Sequence, residues 1–374
     1  MIAKPYIHLE SDYVSRPGET ILELLEHHGL TQLELARRMG RPQEQISRLV
    51  NGKIGIEPDT AIQLERTLGM SATFWMNLDS NYREHLARFR EKERLSSQVG
   101  WLDSIPWRDM VKLQWIPPIE RDANGVRKVL DFFGVATPGQ FSDLWMNMPV
   151  AARQSKSYQS DLGAVATWLR FGQRCAMNIK IPPYNVKSLQ GNIAHLRSLT
   201  KGTFATSMQQ AIDLCNTCGV VVIFVREVTG MRFNGAVQWL GNKPIMQLTT
   251  RHKRADIIWF SFFHELAHIL HHPRNEVFIE EPAAKSVYEA EADSHAQEWL
   301  ISERAYKSID LSDVTPAVLQ KIAHGLGVGP DVFVGRLLRE GRIHYSKNYT
   351  KMLRPVSWDD VKSMWQSGVS ARSI

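Results

Sequence analysis

Only 3 of the 374 residues are cysteine. A disulfide-built chain of this length would need many more, so Cys175, Cys215 and Cys218 are expected to be reduced thiols. Long apolar runs are also missing, and nothing approaches the roughly eighteen uninterrupted apolar residues of a membrane helix. The opening MIAKPYIHLESDY lacks the apolar core of a signal peptide, so the expectation is a cytoplasmic protein with no membrane partner. No sign of charge dominates strongly, and a formal net charge of +6 suits a nucleic-acid partner without requiring one. With 43% hydrophobic and 22% charged residues the chain is neither disordered nor fibrous. Its length suits two or three domains.

Residues 17 to 94 read as consecutive short helices, with apolar residues at helical spacing. The first runs from Gly18 to His28, with Ile21, Leu22, Leu24 and Leu25 inward and Gly29 placed to end it. Thr31 then stands as an N-cap, Leu35, Ala36 and Met39 form an inward stripe, and Gly40 supplies the positive φ of a sharp turn. Pro42 opens the next helix as a first-turn proline. Two short helices across a glycine turn make a helix-turn-helix, whose second helix enters the major groove of DNA. Its outward residues are Gln43, Glu44, Gln45, Ser47 and Arg48, while Ile46 and Leu49 face the core. Gln and Arg can make paired hydrogen bonds to base edges. Arg37, Arg38, Arg41, Arg48 and Lys53 add charge suited to phosphates.

The stretch TQLELARRMGRPQEQISRLVNGK, residues 31–53, resembles the helix-turn-helix of the phage repressor and Cro family. With RPGE, NGKIGIEPDTAIQLERTLG and FWMNLDSNYREHL, residues 17–90 resemble HigA-type antitoxins. The resemblance implies an all-helical, lambda-repressor-like domain, placed at residues 1–95. It implies that Gln32, Gln43 and Asn51 anchor the DNA backbone, and that Gln43, Gln45, Ser47 and Arg48 read or approach bases. The candidate DNA-contacting set is Gln32, Arg41, Gln43, Glu44, Gln45, Ser47, Arg48, Asn51 and Lys53. A homodimer on an inverted-repeat operator of double-stranded DNA, and a toxin encoded beside it as partner, are further implications of the resemblance.

A helix from Ser71 to about Arg94 leads into LARFREKERLSSQVG, whose small residues mark a boundary near residue 100. Residues 96–184 read as a helical middle region broken at Pro117, Pro118, Pro149, Pro182 and Pro183. Its tryptophans, Trp101, Trp107, Trp115, Trp145 and Trp168, read as packing aromatics. CNTC at 215–218 has the spacing of a redox pair or half a zinc site, but no second pair exists. It reads as the end of a helix before a strand from Val220 to Val225, with structural cysteines. GVVVIFV, FNGAVQWL and KPIMQLTT then form three strands.

FFHELAHILHH, residues 262–272, follows. His264 and His268 are four apart and so lie on one helix face about 6 Å apart along the axis. Glu265 stands beside them in the His-Glu-x-x-His pattern, where the Glu is general base to a water on zinc. A third ligand is needed. His272 lies about 12 Å along the axis from His264, too far for one ion, and His271 and His272 read as helix-terminal. The metzincin pattern fails too, because residues 271 and 274 are His and Arg. In the helix AAKSVYEAEADSHAQEWLISE, Glu289 and Asp293 share an inward stripe with Ala296 and Leu300. Glu291, His295, Glu298 and Ser302 form a polar stripe that water can solvate. Carboxylates facing a core need a cation or a hydrogen bond, so Glu289 is the better ligand and Glu291 the weaker, with Asp293 holding a liganding histidine. The set His264, His268, Glu289 with an open position for water is the gluzincin arrangement. Gly235, Ala236, Val237, Gln238 and Trp239 are the candidate edge strand for aligning an extended substrate.

HELAH followed by EAEAD also resembles the ImmA/IrrE metallopeptidase family over about residues 185 to 305, whose members cleave regulators in bacteria and phages. His295 departs from the aromatic residue usual there. VLQKIAHGLGVGPDVFVGRLLREGRIHYSKNYTKMLRP resembles the segment often following this domain in repressor-like proteins, which extends it to residues 185–354 and leaves 355–374 as a tail. The expected fold is mainly α with a small sheet (α+β): the repressor-like domain followed by an α+β gluzincin-like metallopeptidase domain. The expected function is an antitoxin-like, DNA-binding transcriptional regulator with a Zn2+-dependent endopeptidase that cleaves a regulatory protein. The alternative is a non-proteolytic antitoxin or repressor whose C-terminal domain binds a toxin or mediates dimerisation. Tyr288, His295 and Arg232 are candidates for stabilising the oxyanion, and the sequence does not choose among them.

Overall fold

A computed structural model describes residues 15–148, 161–280, 286–312, 314–362 and 364. They divide into two compact units, Met1–Gln98 and Val99–Ile374.

The first unit is helical throughout its described residues. Helix α1, Pro17–His27, buries Ile21 and Leu25. Leu24 packs at the margin of the core, whereas Leu22, expected inward, is 43% exposed. The helix meets the core along one i, i+4 stripe, which cannot accommodate four neighbouring leucine-sized groups. Helix α2, Gln32–Met39, starts at a capping box in which Glu34 N–H donates to Thr31 Oγ1 at 3.2 Å and Thr31 N–H donates to Glu34 Oε2 at 2.7 Å. It stops at Gly40, whose φ of +64° is the left-handed conformation a helix end favours. Pro42 is the N-cap of α3, Gln43–Val50, one place earlier than expected of a first-turn proline. Its ψ of 142° is extended, so the helix begins only after it. Helices α4, Pro58–Leu68, and α5, Ala72–Ser96, complete the unit around Ile21, Leu35, Ile46, Leu64 and Trp75.

In the second unit, short helices α6, Trp107–Lys112, α7, Ala123–Phe133, and α8, Pro138–Phe141, precede α9, Leu162–Met177. The expected break at Pro149 lies outside the described residues. Helices α10, Val186–Gly191, α11, Ile193–Leu199, and α12, Phe204–Thr217, lead into the sheet. Strands β1, Val221–Phe224, β2, Gly235–Leu240, and β3, Lys243–Leu248, come before α13, Ala255–His271. A two-residue strand β4, Phe278–Ile279, follows it, and then α14, Val287–Leu300. Helices α15, Glu303–Lys307, α16, Pro316–Leu326, α17, Pro330–Arg339, α18, Lys347–Thr350, and α19, Trp358–Lys362, close the described chain. The fold is α+β and predominantly helical. No helix of the described residues is long and apolar enough to cross a membrane.

The strand order is β1-β3-β2-β4, with β1 and β3 parallel and the other pairs antiparallel. This corrects one expectation. β2 is not the edge over its first half, because β4 covers it there by pairing Ala236 with Ile279 and Val237 with Phe278. The outer strand beside it is β4, too short for its own sequence period to reveal.

One face of the sheet carries α13 and the other α9. Thirteen of the seventeen residues of α13 are buried, so it is a central helix and not an amphipathic surface one. On the opposite face a ladder of amides is fully satisfied. Gln238 donates to Leu169 O at 2.9 Å and to Gln247 Oε1, and Gln247 donates to Trp168 O at 3.0 Å. Gly172 of α9 makes room for it, since a Cβ there would lie 2.1 Å from Gln247 Cδ. Helix α17 packs on α13 in a similar way, with Gly335 against Asp256, whose carboxylate accepts from Arg254 Nε at 3.0 Å and Nη2 at 2.6 Å. Val356 and Val361 belong to the same core, and residues 365–374 lie outside the described ones.

Gly172→Ala displaces a buried amide whose partners are fixed. It is expected to destabilise the chain by about 1–3 kcal/mol, seen as a lower urea midpoint at unchanged slope. An unshifted midpoint would show that the ladder yields freely.

Candidate metal centre and nucleic-acid interface

His264 and His268 stand one turn apart in the middle of α13, and Glu289 is in the first turn of α14, where the Ser286 hydroxyl accepts its backbone N–H at 3.1 Å. The two helices bring the three together. His264 Nε2 is 3.1 Å from Glu289 Oε2, His268 Nε2 is 3.3 Å from Glu289 Oε1, and the two Nε2 atoms are 3.1 Å apart. All three side chains are buried.

The outer nitrogens are engaged as well. His264 Nδ1 lies 2.9 Å from Asp293 Oδ1, so Asp293 sits where it can fix that ring. His268 Nδ1 lies 2.7 Å from His272 Nδ1, and His272 Nε2 lies 3.2 Å from Glu291 Oε2. His272 caps the C-terminus of α13, as expected, yet it is buried and joins a ligand histidine to an acid on α14. Sequence reasoning missed that role. The i, i+4 spacing from His268 was the available signal.

Glu265 is fully buried beneath β2, and a Cβ on Gly235 would lie 2.6 Å from its Oε1. Neither of its carboxylate oxygens has a hydrogen-bond partner among the described residues. Two nitrogens held by a zinc ion at about 2.0–2.1 Å in tetrahedral geometry lie about 3.3 Å apart, close to the separation observed here. The converging nitrogens, the facing carboxylate and the orphaned oxygens of Glu265 suit a dication with a water beside it.

The proton positions follow from the same contacts. Burial opposes charge on His264, but the hydrogen bonds to Asp293 and Glu289 outweigh it and hold its imidazole well above the ordinary range. Burial dominates at His268 and takes it down to about 4. Burial would raise Glu289, yet its hydrogen bonds to His264 and His268 hold it at about 2. Burial also pushes Glu265 well above a normal carboxyl.

A cavity of about 610 Å³ opens beside this cluster, lined by His264, Glu289 and Asp293 and, farther along α13, by Phe260, Ile257 and Asp256. Glu280, Arg254, Arg339 and Tyr345 face it too. None of Tyr288, His295 and Arg232 lines it. Tyr288 packs on His272 and Phe278, while His295 stacks on His271 with ring centroids 4.2 Å apart. His295 therefore takes its aromatic-like place away from the cavity. Cys215 and Cys218 are buried free thiols, and burial pushes the Cys215 thiol up, away from the thiolate.

In the first unit, Gln43, Glu44 and Arg48 are exposed on α3, Gln45 and Ser47 are half-buried, and Ile46 and Leu49 are buried. Gln32 begins α2 half-buried, and Asn51 and Lys53 are exposed just after α3. Asn51 Nδ2 donates to Ser47 O at 2.7 Å, which closes the end of α3. Arg41 Nε donates to Gln63 Oε1 at 2.6 Å, which ties the turn to α4. The expected contact set thus forms one side of α3 and its two flanking turns, with Gln32 apart from them at the start of α2.

Two family models match the chain: Helix-turn-helix over residues 21–75 and IrrE N-terminal-like domain over residues 221–338. The HTH-type transcriptional regulator YddM of Escherichia coli (strain K12) is 37% identical over 65 residues, 17% of this chain and 69% of that protein. Virulence-associated protein A of Dichelobacter nodosus is 36% identical over 59 residues, 16% of this chain and 58% of its own length. A solved structure of Pseudomonas aeruginosa antitoxin HigA with the higBA promoter shares 30% identity, covering 22% of this chain and 92% of that one, with a TM-score of 0.21.

The metal-free cluster keeps a proton on His264 between two carboxylates, and a metal ion must displace it. Zinc affinity is therefore expected to rise about tenfold per pH unit while His264 is protonated, and to level off above its pKa. Competition with a chelator between pH 6 and 8 measures this; a flat profile would count against it.

Proposed function

We infer that this chain, which belongs to the helix-turn-helix family and carries an IrrE N-terminal-like domain over residues 221–338, is a DNA-binding regulator with a zinc-dependent endopeptidase in its second unit. The observation that carries the peptidase reading is the convergence of His264, His268 and Glu289 beside a buried carboxylate with two unpartnered oxygens. A zinc ion held by these three residues would supply a Lewis acid able to lower the pKa of a water and polarise a peptide carbonyl. Glu265 is the base that takes the proton, and its raised pKa suits it to return that proton to the leaving amine. Asp293 and His272 hold the two imidazoles so that both Nε2 atoms face one point. The substrate is a regulatory protein, and DNA-bound homodimers on an inverted repeat place the chain in a cytoplasmic regulatory circuit.

A second reading is favoured by one observation. Glu265 does not line the cavity that opens beside the ligands, as suits a non-proteolytic domain that binds a toxin or mediates dimerisation. One variant separates the two. Glu265→Gln should keep zinc and lower cleavage of an internally quenched peptide library by a factor of at least a thousand; equal cleavage by both proteins would end the peptidase reading.

For the first unit, we propose that Gln43, Gln45, Ser47 and Arg48 meet base edges, while Gln32, Arg41, Glu44, Asn51 and Lys53 set the backbone contacts and the shape of the loop. A preferred DNA site is first selected from random sequence. Gln43→Ala with Arg48→Ala should then weaken binding to it by about 1–3 kcal/mol per lost base contact. Undiminished affinity would remove α3 as the reading helix.

A further inference from the structure

Most carboxylates at the metal cavity or beneath it already have a partner or a role: Glu289 is a ligand, Asp293 holds His264, Glu265 is the base and Asp256 pairs with Arg254. The exception is Glu280. It follows β4 directly and remains in register with β2, donating its N–H to Gly235 O at 3.1 Å, while its carbonyl accepts from Asn234 N–H at 3.4 Å. Alternate residues of a strand share a face. Phe278, two residues earlier, stacks on the His268 ring with centroids 4.4 Å apart, so Glu280 is turned to the histidine side of the sheet. There it lines the same cavity as His264, Glu289 and Asp293.

No arginine or lysine meets its charge. Oε1 has Asn234 Nδ2 at 3.4 Å, and Oε2 is buried with no hydrogen-bond partner among the described residues. Burial raises its pKa in spite of the nearby His264, Ser261 and Asn234. The arginines around the cavity are engaged elsewhere: Arg254 with Asp256, Arg336 with Glu303 and Glu340, and Arg339 over the Phe260 ring at 4.1 Å. The nearby His264 is already held between Asp293 and Glu289, so the half-buried Glu280 keeps one buried oxygen, Oε2, without a partner, and a cation entering the cavity would meet it.

We propose that Glu280 receives a cationic group of the substrate, an ammonium or guanidinium carried by the residue next to the scissile bond. The proposal rests on the peptidase reading and names its substrate class. Glu280 shares the cavity with His264, Glu289 and Asp293, so a peptide seated there with its scissile bond at the metal ligands brings a neighbouring residue to Glu280. Two sources present this chemistry: a lysine or arginine side chain, which fits an endopeptidase, and the free α-ammonium of a chain terminus, which would make the cleavage that of an aminopeptidase.

The test uses the full-length, zinc-loaded protein carrying Glu265→Gln, so that peptides bind without being cut, with and without Glu280→Gln. The probes are fluorescein-labelled octapeptides carrying a single lysine scanned through the sequence, or norleucine in its place, each with a free or an acetylated N-terminus. We expect at least tenfold tighter binding of the cationic member of one pair, and loss of that preference in Glu280→Gln at unchanged zinc content. Partial recovery is expected in Glu280→Asp. Sensitivity to acetylation assigns the cation to the terminus, and sensitivity to norleucine assigns it to the side chain. Equal affinity for charged and neutral members, or a preference that survives Glu280→Gln, overturns the proposal and leaves the peptidase reading intact. Absence of both binding and wild-type cleavage overturns the two together.

Discussion

Glu289 stands between two imidazoles, and the architecture of the second unit follows from that contact. Helix α13 is buried along nearly its whole length yet carries His264, Glu265 and His268 in its middle. Polar groups in such a place are tolerated only when something meets them, and an unmatched charge there would cost several kcal/mol. Helix α14 supplies the match, which is why a helix with few buried apolar residues is held so closely against α13. The sheet and α17 then fix α13 from other sides through glycines at the contact points, Gly235 and Gly335. At these positions a side chain would strike the Glu265 or Asp256 carboxylate.

The histidines are oriented by a chain of contacts that reaches solvent at both ends. Asp293 and Glu291 are about half exposed, at 52% and 55%, and lead inward through His264 in one case and through His272 and His268 in the other. Each ligand ring thus has its Nδ1 occupied, and its Nε2 is left for the shared point. A ring fixed in this way gives up less rotational freedom when it takes up a metal ion. His272 matters here because it transmits Glu291, an acid on a solvated stripe, to a ligand one turn further into the helix.

Much of this is legible in the sequence, for physical reasons that can be named. The capping box at Thr31, the turn at Gly40 and the inward Leu35, Ile46 and Leu49 are local, and local chemistry decides them. The pairing of α13 with α14 can be argued because an inward acid demands a partner, and Glu289 and Asp293 share a stripe with Ala296 and Leu300. Where sequence reasoning fails, the deciding contact is non-local. Nothing near Gly235 announces β4, whose two residues are too few to show alternation, so the neighbouring strand reads as the edge. Glu280 is hidden for the same reason, since its face is defined only once Phe278 is known to lie in a strand. Leu22 reads as inward because periodicity gives a direction but not the width of the stripe that the core can cover.

Glu265 is the residue for which stability and function pull apart. Its carboxylate has no hydrogen-bond partner among the described residues and lies against the backbone of β2. An apolar side chain of similar volume would fill the same place at lower free energy, because burying an unmatched acid is unfavourable while burying a methylene is not. A domain kept only as a packing or docking surface gains nothing from a glutamate there. The cost becomes intelligible if a cation and a water belong beside it, because the metal ligands already converge within reach and a base of raised pKa is what such a water needs. The glycine at 235 points the same way: it leaves room for a carboxylate that a packing role would not require.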